Sequence, residues 1–212
     1  VGLGDFVDLS DGTYDQRFDR TMAEMQKGTP LLYQGVLLYN NLLGIPDLLA
    51  LNGDGSYTPV DIKSGRGYEK TDDEEEEKYK KHYAVQLCHY LEILKKLGKT
   101  KSEEAKIIDI KNNQVTYDLT RQISPKNTKT WWQFYYDIRN EVEPLIENRT
   151  RNNPALGGAC KQCQWYKSCK KWAQENHDLT TLYKVGRNKR DTLNEDLGLL
   201  RVEEVLEMDL AG

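Results

Sequence analysis

The stretch from Asp47 to Lys63 constrains this chain more than any other, because it reads as a hairpin whose turn, length and polarity are all specified. Asp47 to Leu51 and Tyr57 to Lys63 have strand character, and Asn52-Gly53-Asp54-Gly55 between them is turn chemistry. Side chains alternate with period 2 along a strand, so Asp61 and Lys63 face the same side. Asp47 stands at the end of the neighbouring strand, after Gly44-Ile45-Pro46. Two carboxylates at the ends of adjacent strands can share one divalent cation.

Around the hairpin, helical and extended patterns alternate. Ser10 or Asp11 is placed to cap a first helix with Phe18, Met22 and Met25 at i, i+4 and i+7 and Gly28 just past its end. Leu31 to Leu38 reads as one buried strand, turned by Asn40-Asn41. A longer helix carries Tyr83, Leu87, Tyr90, Leu91 and Leu94 as one stripe closed by Gly98, with Gln86 beside it. Ala105 to Ile110 and Val115 to Leu119 make a second hairpin through Asn112-Asn113, and residues 129–148 a helix interrupted by Pro144. The order α-β-β-β-α-β-β predicts an α/β fold with a central mixed sheet flanked by helices.

With 212 residues, 38% of them hydrophobic and 30% charged, the chain can bury a core without disulfide staples. No apolar run approaches the roughly 18 residues of a membrane helix, and no signal-type segment is visible, so a cytoplasmic protein without membrane contact is expected. Val1 in place of Met and an abrupt end at Ala211-Gly212 are expected of a piece of something longer. The net charge of −4 hides an asymmetry. Seven acids stand against one lysine between Glu69 and Glu77, the pattern of a solvated loop, whereas Asn148 to Gln174 has six basic residues and no acid.

Asp47 and Asp61 offer the hard oxygens that Mg²⁺ or Mn²⁺ prefers, and a lysine beside such an ion can orient attacking water and neutralise charge building on phosphorus. Alone, Asp-x-Lys reads as a surface pair and Asp47 as a turn former. It is joined, in order, by Gly44-Ile45-Pro46-Asp47-Leu48-Leu49, Asp61-Ile62-Lys63-Ser64-Gly65 and Gln86-x-x-x-Tyr90. This set, over roughly residues 20–173, resembles the RecB-like branch of the PD-(D/E)XK nuclease family. The resemblance implies a restriction-endonuclease-like core in which Asp47, Asp61 and the backbone carbonyl of Ile62 hold the metal and Lys63 serves the attacking water. Gln86 and Tyr90, one helical turn apart, would line the site and touch the nucleic-acid backbone. It further implies an acid or histidine from the first helix near the metal, for which Glu24 is the candidate.

Cys160-x₂-Cys163-x₅-Cys169 follows that core, and cytosolic cysteines at such spacing suggest a metal more than a disulfide. Soft thiolates select zinc or an iron-sulfur cluster. In the resembled branch three such cysteines join one that precedes the nuclease motifs to hold a [4Fe-4S] cluster. Here no cysteine precedes Asp47, so the fourth ligand would lie upstream of Val1. Zn²⁺ held by the three cysteines and His177 is the alternative. Cys88, within the Gln86 to Tyr90 helix, reads as a small buried side chain. Basic residues from Arg149 to Lys171 are interleaved with Trp165, Tyr166 and Trp172, which suits either a single-strand path or packing around the metal.

Leu179 to Leu193 reads as a short helix, a tight Val185-Gly186 turn and a second helix, similar to a helix-hairpin-helix with Lys184 in place of the motif's first glycine. Gly186 would then allow close backbone approach to phosphate and a positive φ. Val202 to Met208 reads as one more helix. The expected domains are a nuclease domain with its cysteine cluster over residues 1–175 and a helix-hairpin-helix-like element over residues 176–212. The implied activity is a Mg²⁺- or Mn²⁺-dependent deoxyribonuclease, an exonuclease with single-stranded DNA favoured, partnered by a helicase domain or subunit. The alternatives are a catalytically inactive nucleic-acid-binding or helicase-docking module, and a zinc-stabilised structural domain.

Overall fold

The computed structural model describes residues 6–69 and 78–208, so the acidic run beyond Glu69 lies outside the described residues. The chain packs as two compact units, Val1–Glu143 and Pro144–Gly212. The first opens with strand β1 (Val7–Asp8) and helix α1 (Tyr14–Lys27), then β2 (Leu31–Tyr33), β3 (Leu37–Tyr39), β4 (Leu42–Gly44), β5 (Leu48–Leu51) and β6 (Tyr57–Ile62). After these come α2 (Lys81–Lys96), β7 (Glu104–Ile108), β8 (Gln114–Asp118), β9 (Gln122–Ser124), β10 (Asn127–Thr130) and α3 (Trp131–Ile146). Six strands form a mixed sheet in the order β1-β2-β5-β6-β7-β8. β1–β2 and β6–β7 are parallel and the other neighbours antiparallel, so the expected α/β class with a mixed central sheet and flanking helices is present.

Three local expectations differ. Thr13, not Ser10 or Asp11, caps α1: its hydroxyl accepts from the Gln16 N–H at 3.3 Å while the Gln16 side chain accepts from the Thr13 N–H at 3.1 Å. The buried face is Arg17, Thr21 and Met25, one position off the apolar stripe, because the Arg17 guanidinium donates to the Leu9 and Gln34 carbonyls at 2.8 and 2.7 Å and so satisfies itself inside. Leu31 to Leu38 is two strands. Gln34 turns the chain at φ 55°, β2 stays in the main sheet, and β3 leaves it to pair with β4 around Asn40, at φ 49°. The edge strand β1 and the β9–β10 hairpin had too little apolar pattern to be read from sequence.

Helix α2 ties the unit together. Leu87 and Leu91 pack with Ile107, Tyr117, Trp131 and Tyr135 in one cluster, while Ile93 and Leu94 pack with Met25, Leu32, Leu49 and Tyr57 in another. Each such leucine, fully buried, contributes about 2 kcal/mol. Cys88 is buried as expected, and burial pushes its thiol pKa up.

The second unit begins at Pro144, inside the last turn of α3, where a ring nitrogen has no proton to donate. A 3₁₀ turn (Gly158–Gln162) leads to α4 (Tyr166–Glu175), another 3₁₀ turn (Leu179–Thr181), α5 (Arg187–Leu197) and α6 (Val202–Leu206). The cysteine-bearing stretch packs with these C-terminal helices: the Leu156 N–H donates to Thr180 Oγ1 at 3.0 Å, and Arg190 donates to the Pro154 carbonyl at 2.8 Å. Its interior is small, with Ala173 and Leu179 fully buried beside an Arg190–Asp178 ion pair of 3.4 Å. The expected first helix of the hairpin is a single 3₁₀ turn, opened by Asp178, whose carboxylate accepts from the Thr180 N–H at 2.8 Å. Gly186 is extended at φ −102°, and the left-handed residue is Lys184 at φ 61°. Among the described residues no helix is long and apolar enough to cross a membrane.

Candidate active site

Register builds the site. Leu48 faces Val60 and Leu49 faces Pro59, so one step further Asp47 meets Asp61. The Asp47 N–H donates to Asp61 Oδ1 at 3.4 Å, and the Ile62 N–H donates to Asp47 Oδ2 at 2.7 Å. The parallel partner β7 secures the other side, where the Lys63 N–H donates to the Ile108 carbonyl at 2.9 Å and carries strand geometry past Ile62. Lys63 therefore faces the same way as Asp61.

Asp61 is only 2% exposed, and its Oδ2 accepts no hydrogen bond, the one such buried side-chain oxygen or nitrogen among the described residues. The Lys63 ammonium lies against Oδ2 as an ion pair. It donates to Gln86 Oε1 at 2.7 Å and sits 5.2 Å from the centre of the Tyr83 ring. Burial raises the Asp61 carboxyl pKa above its ordinary value; the Lys63 ammonium opposes that shift and the Asp47 charge adds to it. A buried carboxylate oxygen met only by an ammonium, beside a second carboxylate, fits a hard divalent cation. Asp47, Asp61 and the Ile62 carbonyl are the atoms that would hold it. No group of three or more His, Cys, Asp and Glu side chains that could hold a metal occurs among the described residues.

On α2, Gln86 Nε2 donates to the Tyr90 hydroxyl at 2.6 Å, and that hydroxyl donates to the Ile45 carbonyl at 3.2 Å. Burial pushes the Tyr90 pKa up to about 12, with the Asp61 charge adding to it, so the phenol stays a donor at ordinary pH. Asp61, Lys63, Gln86 and Tyr90 thus form one connected chain of polar contacts. Gly44 lets α2 come close: a Cβ there would stand 2.9 Å from the Tyr90 ring and 3.1 Å from Ile93. Gly44→Ala is expected to cost about 1–3 kcal/mol by overpacking, read by denaturant unfolding, and to slow any reaction at the site by displacing Tyr90.

Glu24 is not brought to this site. Its carboxylate takes Lys27 and Thr29, each at 2.6 Å, because it lies in the last turn of α1 beside the Gly28 cap. These two hydrogen bonds, Lys27 first, hold its pKa below the usual value. The residue sequence reasoning missed is Gln34, whose Nε2 donates to Asp47 Oδ1 at 2.9 Å and whose N–H donates to the Asp47 carbonyl at 2.9 Å. Its signal was a lone polar residue before Gly35 in an otherwise apolar run.

The cysteine expectations meet a different arrangement. Cys160, Cys163 and Cys169 are free thiols in the second unit, with Cys163 exposed and Cys160 Sγ accepting from the Gly157 N–H at 3.2 Å. His177 is paired with Glu203 instead of joining them, since its left-handed backbone, φ 52°, turns it toward α6. As they stand these groups do not fit a cysteine-ligated cluster or a Cys₃His zinc site.

No curated protein sequence matches this chain. The family model for the PD-(D/E)XK nuclease superfamily matches residues 11–170, which spans the carboxylate pair, Lys63 and the Gln86–Tyr90 helix. The six-stranded mixed sheet with its helices is consistent with a restriction-endonuclease-like fold. On this match over most of its length, the chain belongs to the PD-(D/E)XK nuclease superfamily.

Proposed function

We propose that this protein is a Mg²⁺- or Mn²⁺-dependent deoxyribonuclease that hydrolyses phosphodiester bonds, acting as an exonuclease with single strands favoured. The observation that carries it is the buried Asp61 carboxylate opposite Asp47, whose Oδ2 meets no group but the Lys63 ammonium. When bound, a divalent ion would supply charge stabilisation at the phosphate and a more acidic water. The protein's own groups do the rest. Lys63 Nζ, held by Gln86 and Tyr83, is placed to donate to a phosphate oxygen and orient the water in line with the scissile bond. Gln86 and Tyr90 position the strand. The basic and aromatic stretch from Arg149 to Trp172 supports single-strand preference, and the family match to residue 170 supports a nuclease domain extending to about residue 175.

The test is incubation with end-labelled single- and double-stranded DNA, with and without Mn²⁺. Cleavage only with Mn²⁺ supports the reading, whereas salt-dependent binding without cleavage assigns the inactive module. Lys63→Ala should slow cleavage about 10²- to 10³-fold while calorimetry still records Mn²⁺ binding, because the carboxylates remain. Equal rates in that variant would remove Lys63 from the reaction. For Cys160, Cys163 and Cys169 the spacing supports a [4Fe-4S] cluster and the arrangement of the thiols does not. Iron and sulfide content of anaerobically purified protein decides between them.

A further inference from the structure

We propose that the second unit carries a binding site for a nucleoside phosphate, in a cavity of about 480 Å³ between the 151–153 segment, Trp172 on α4 and the α5–α6 helices. The volume lies within the range of small-molecule sites. Arg151, Arg187, Arg190 and Arg201 line it, against two acids, Asp178 and Asp191.

The charges divide unequally. Arg190 is buried and spent on both acids, 3.4 Å from Asp178 and 2.8 Å from Asp191. Arg187 donates only to neutral groups, Asn152 Oδ1 at 2.9 Å and the Asn153 carbonyl at 3.4 Å. The Arg151 guanidinium has no carboxylate partner among the described residues, Arg201 feels the charges of Glu203 and Glu204 without forming an ion pair, and both residues are exposed. Arg151 and Arg187 therefore face one cavity without a counter-ion, with Arg201 beside them in no ion pair, an arrangement whose repulsion is relieved by an anion such as phosphate, which takes guanidinium in bidentate fashion.

Phosphate alone does not account for the rest of the wall. Trp172 is half-buried, stacks on no other ring, and its indole N–H meets no acceptor among the described residues. An aromatic face without a protein partner beside an arginine-lined hollow is the pairing that takes a base and its phosphate together. The Asn153 side-chain amide is likewise uncommitted and offers both a donor and an acceptor to a base edge. The ligand is either the end of a single strand or a free mononucleotide. The inference shares its class of ligand, and Arg151 and Trp172, with the nuclease reading, and does not depend on the carboxylate site.

Calorimetric titration of the 212-residue chain in EDTA tests it. The probes are deoxyadenosine 5′-monophosphate, deoxyadenosine, inorganic phosphate, a phosphoserine peptide, and a short single-stranded oligonucleotide with and without a 5′-phosphate. The nucleotide is expected to bind about tenfold or more tighter than deoxyadenosine or phosphate. Arg151→Ala with Arg201→Ala should weaken it about tenfold and lower the salt slope for the phosphorylated oligonucleotide by about 1 per arginine. Trp172→Ala should weaken it about tenfold and Trp172→Phe much less. Tighter binding of the 5′-phosphorylated oligonucleotide assigns a strand end, and tighter binding of the mononucleotide assigns a released product.

Asp61→Asn should bind as the parent does, so a failure of the nuclease reading leaves this test intact. Unchanged affinity in the arginine variant, whose exposed positions do not threaten folding, overturns the proposal. So does phosphate or the phosphopeptide binding as tightly as the nucleotide, or a loss confined to Asp61→Asn.

Discussion

Asp61→Asn is expected to reduce metal-dependent cleavage by about 10³-fold or more, and to erase the stabilisation that Mn²⁺ gives the parent. Both effects follow from one atom. Oδ2 is buried and met only by the Lys63 ammonium, and a neutral amide there lacks the charge with which the carboxylate would share a cation with Asp47. A cation bound at 100 times its dissociation constant raises parent stability by about 2.7 kcal/mol, a shift readable in thermal unfolding. The variant should show little of it.

The metal-free protein carries a pH signature of the same group. Asp61 has its pKa raised above 3.8, chiefly by burial, so the folded state holds this proton more tightly than the unfolded chain does. Its contribution to stability is full below pH 3.8 and is lost as pH rises through the raised folded-state value. Denaturant midpoints of the apo protein should therefore carry a downward component over that window, and Asp61→Asn should flatten it. Parent and variant with the same slope would mean that Asp61 ionises in the fold as freely as in water.

What could be read from the residues was what period and turn chemistry dictate. Asn52 to Gly55 defined the hairpin, its register set Asp47 opposite Asp61, and the period of the strand put Lys63 with Asp61. The spacing of Gln86 and Tyr90 on α2 likewise survived, and they touch at 2.6 Å. The misreadings came from polar groups that tertiary contacts satisfy. Arg17 stood outside the expected stripe of Phe18, Met22 and Met25 but is buried through two carbonyls, and Gln34 counted as part of a strand but turns it. Glu24 was placed by family analogy, and nothing in its own neighbourhood could reveal that Lys27 and Thr29 would claim it. Local sequence also cannot say which distant chain a left-handed residue such as His177 will face.

Arg139→Ala is expected to cost about 3 kcal/mol of stability, a large effect for a substitution remote from the carboxylates. Glu92 is buried on α2, and its carboxylate accepts from the Arg139 guanidinium and from the Tyr135 hydroxyl at 2.6 Å. Removing the arginine leaves a charge inside with only a phenol to hold it, whereas replacing both members, Glu92→Met with Arg139→Met, should recover most of the loss. The consequence reaches the site. Tyr135 also meets His89 Nδ1 at 3.1 Å, and His89 Nε2 meets the Leu43 carbonyl at 2.8 Å, so α3 braces the face of α2 that grips the segment leading to Asp47. Arg139→Ala should accordingly lower cleavage several-fold at temperatures where the fold is intact, with Mn²⁺ affinity weakened and not abolished. Denaturant unfolding of Glu92→Met, Arg139→Met and the double variant gives the coupling energy. A coupling near zero would show that Glu92 finds water once its partner is gone, and that the brace is not electrostatic.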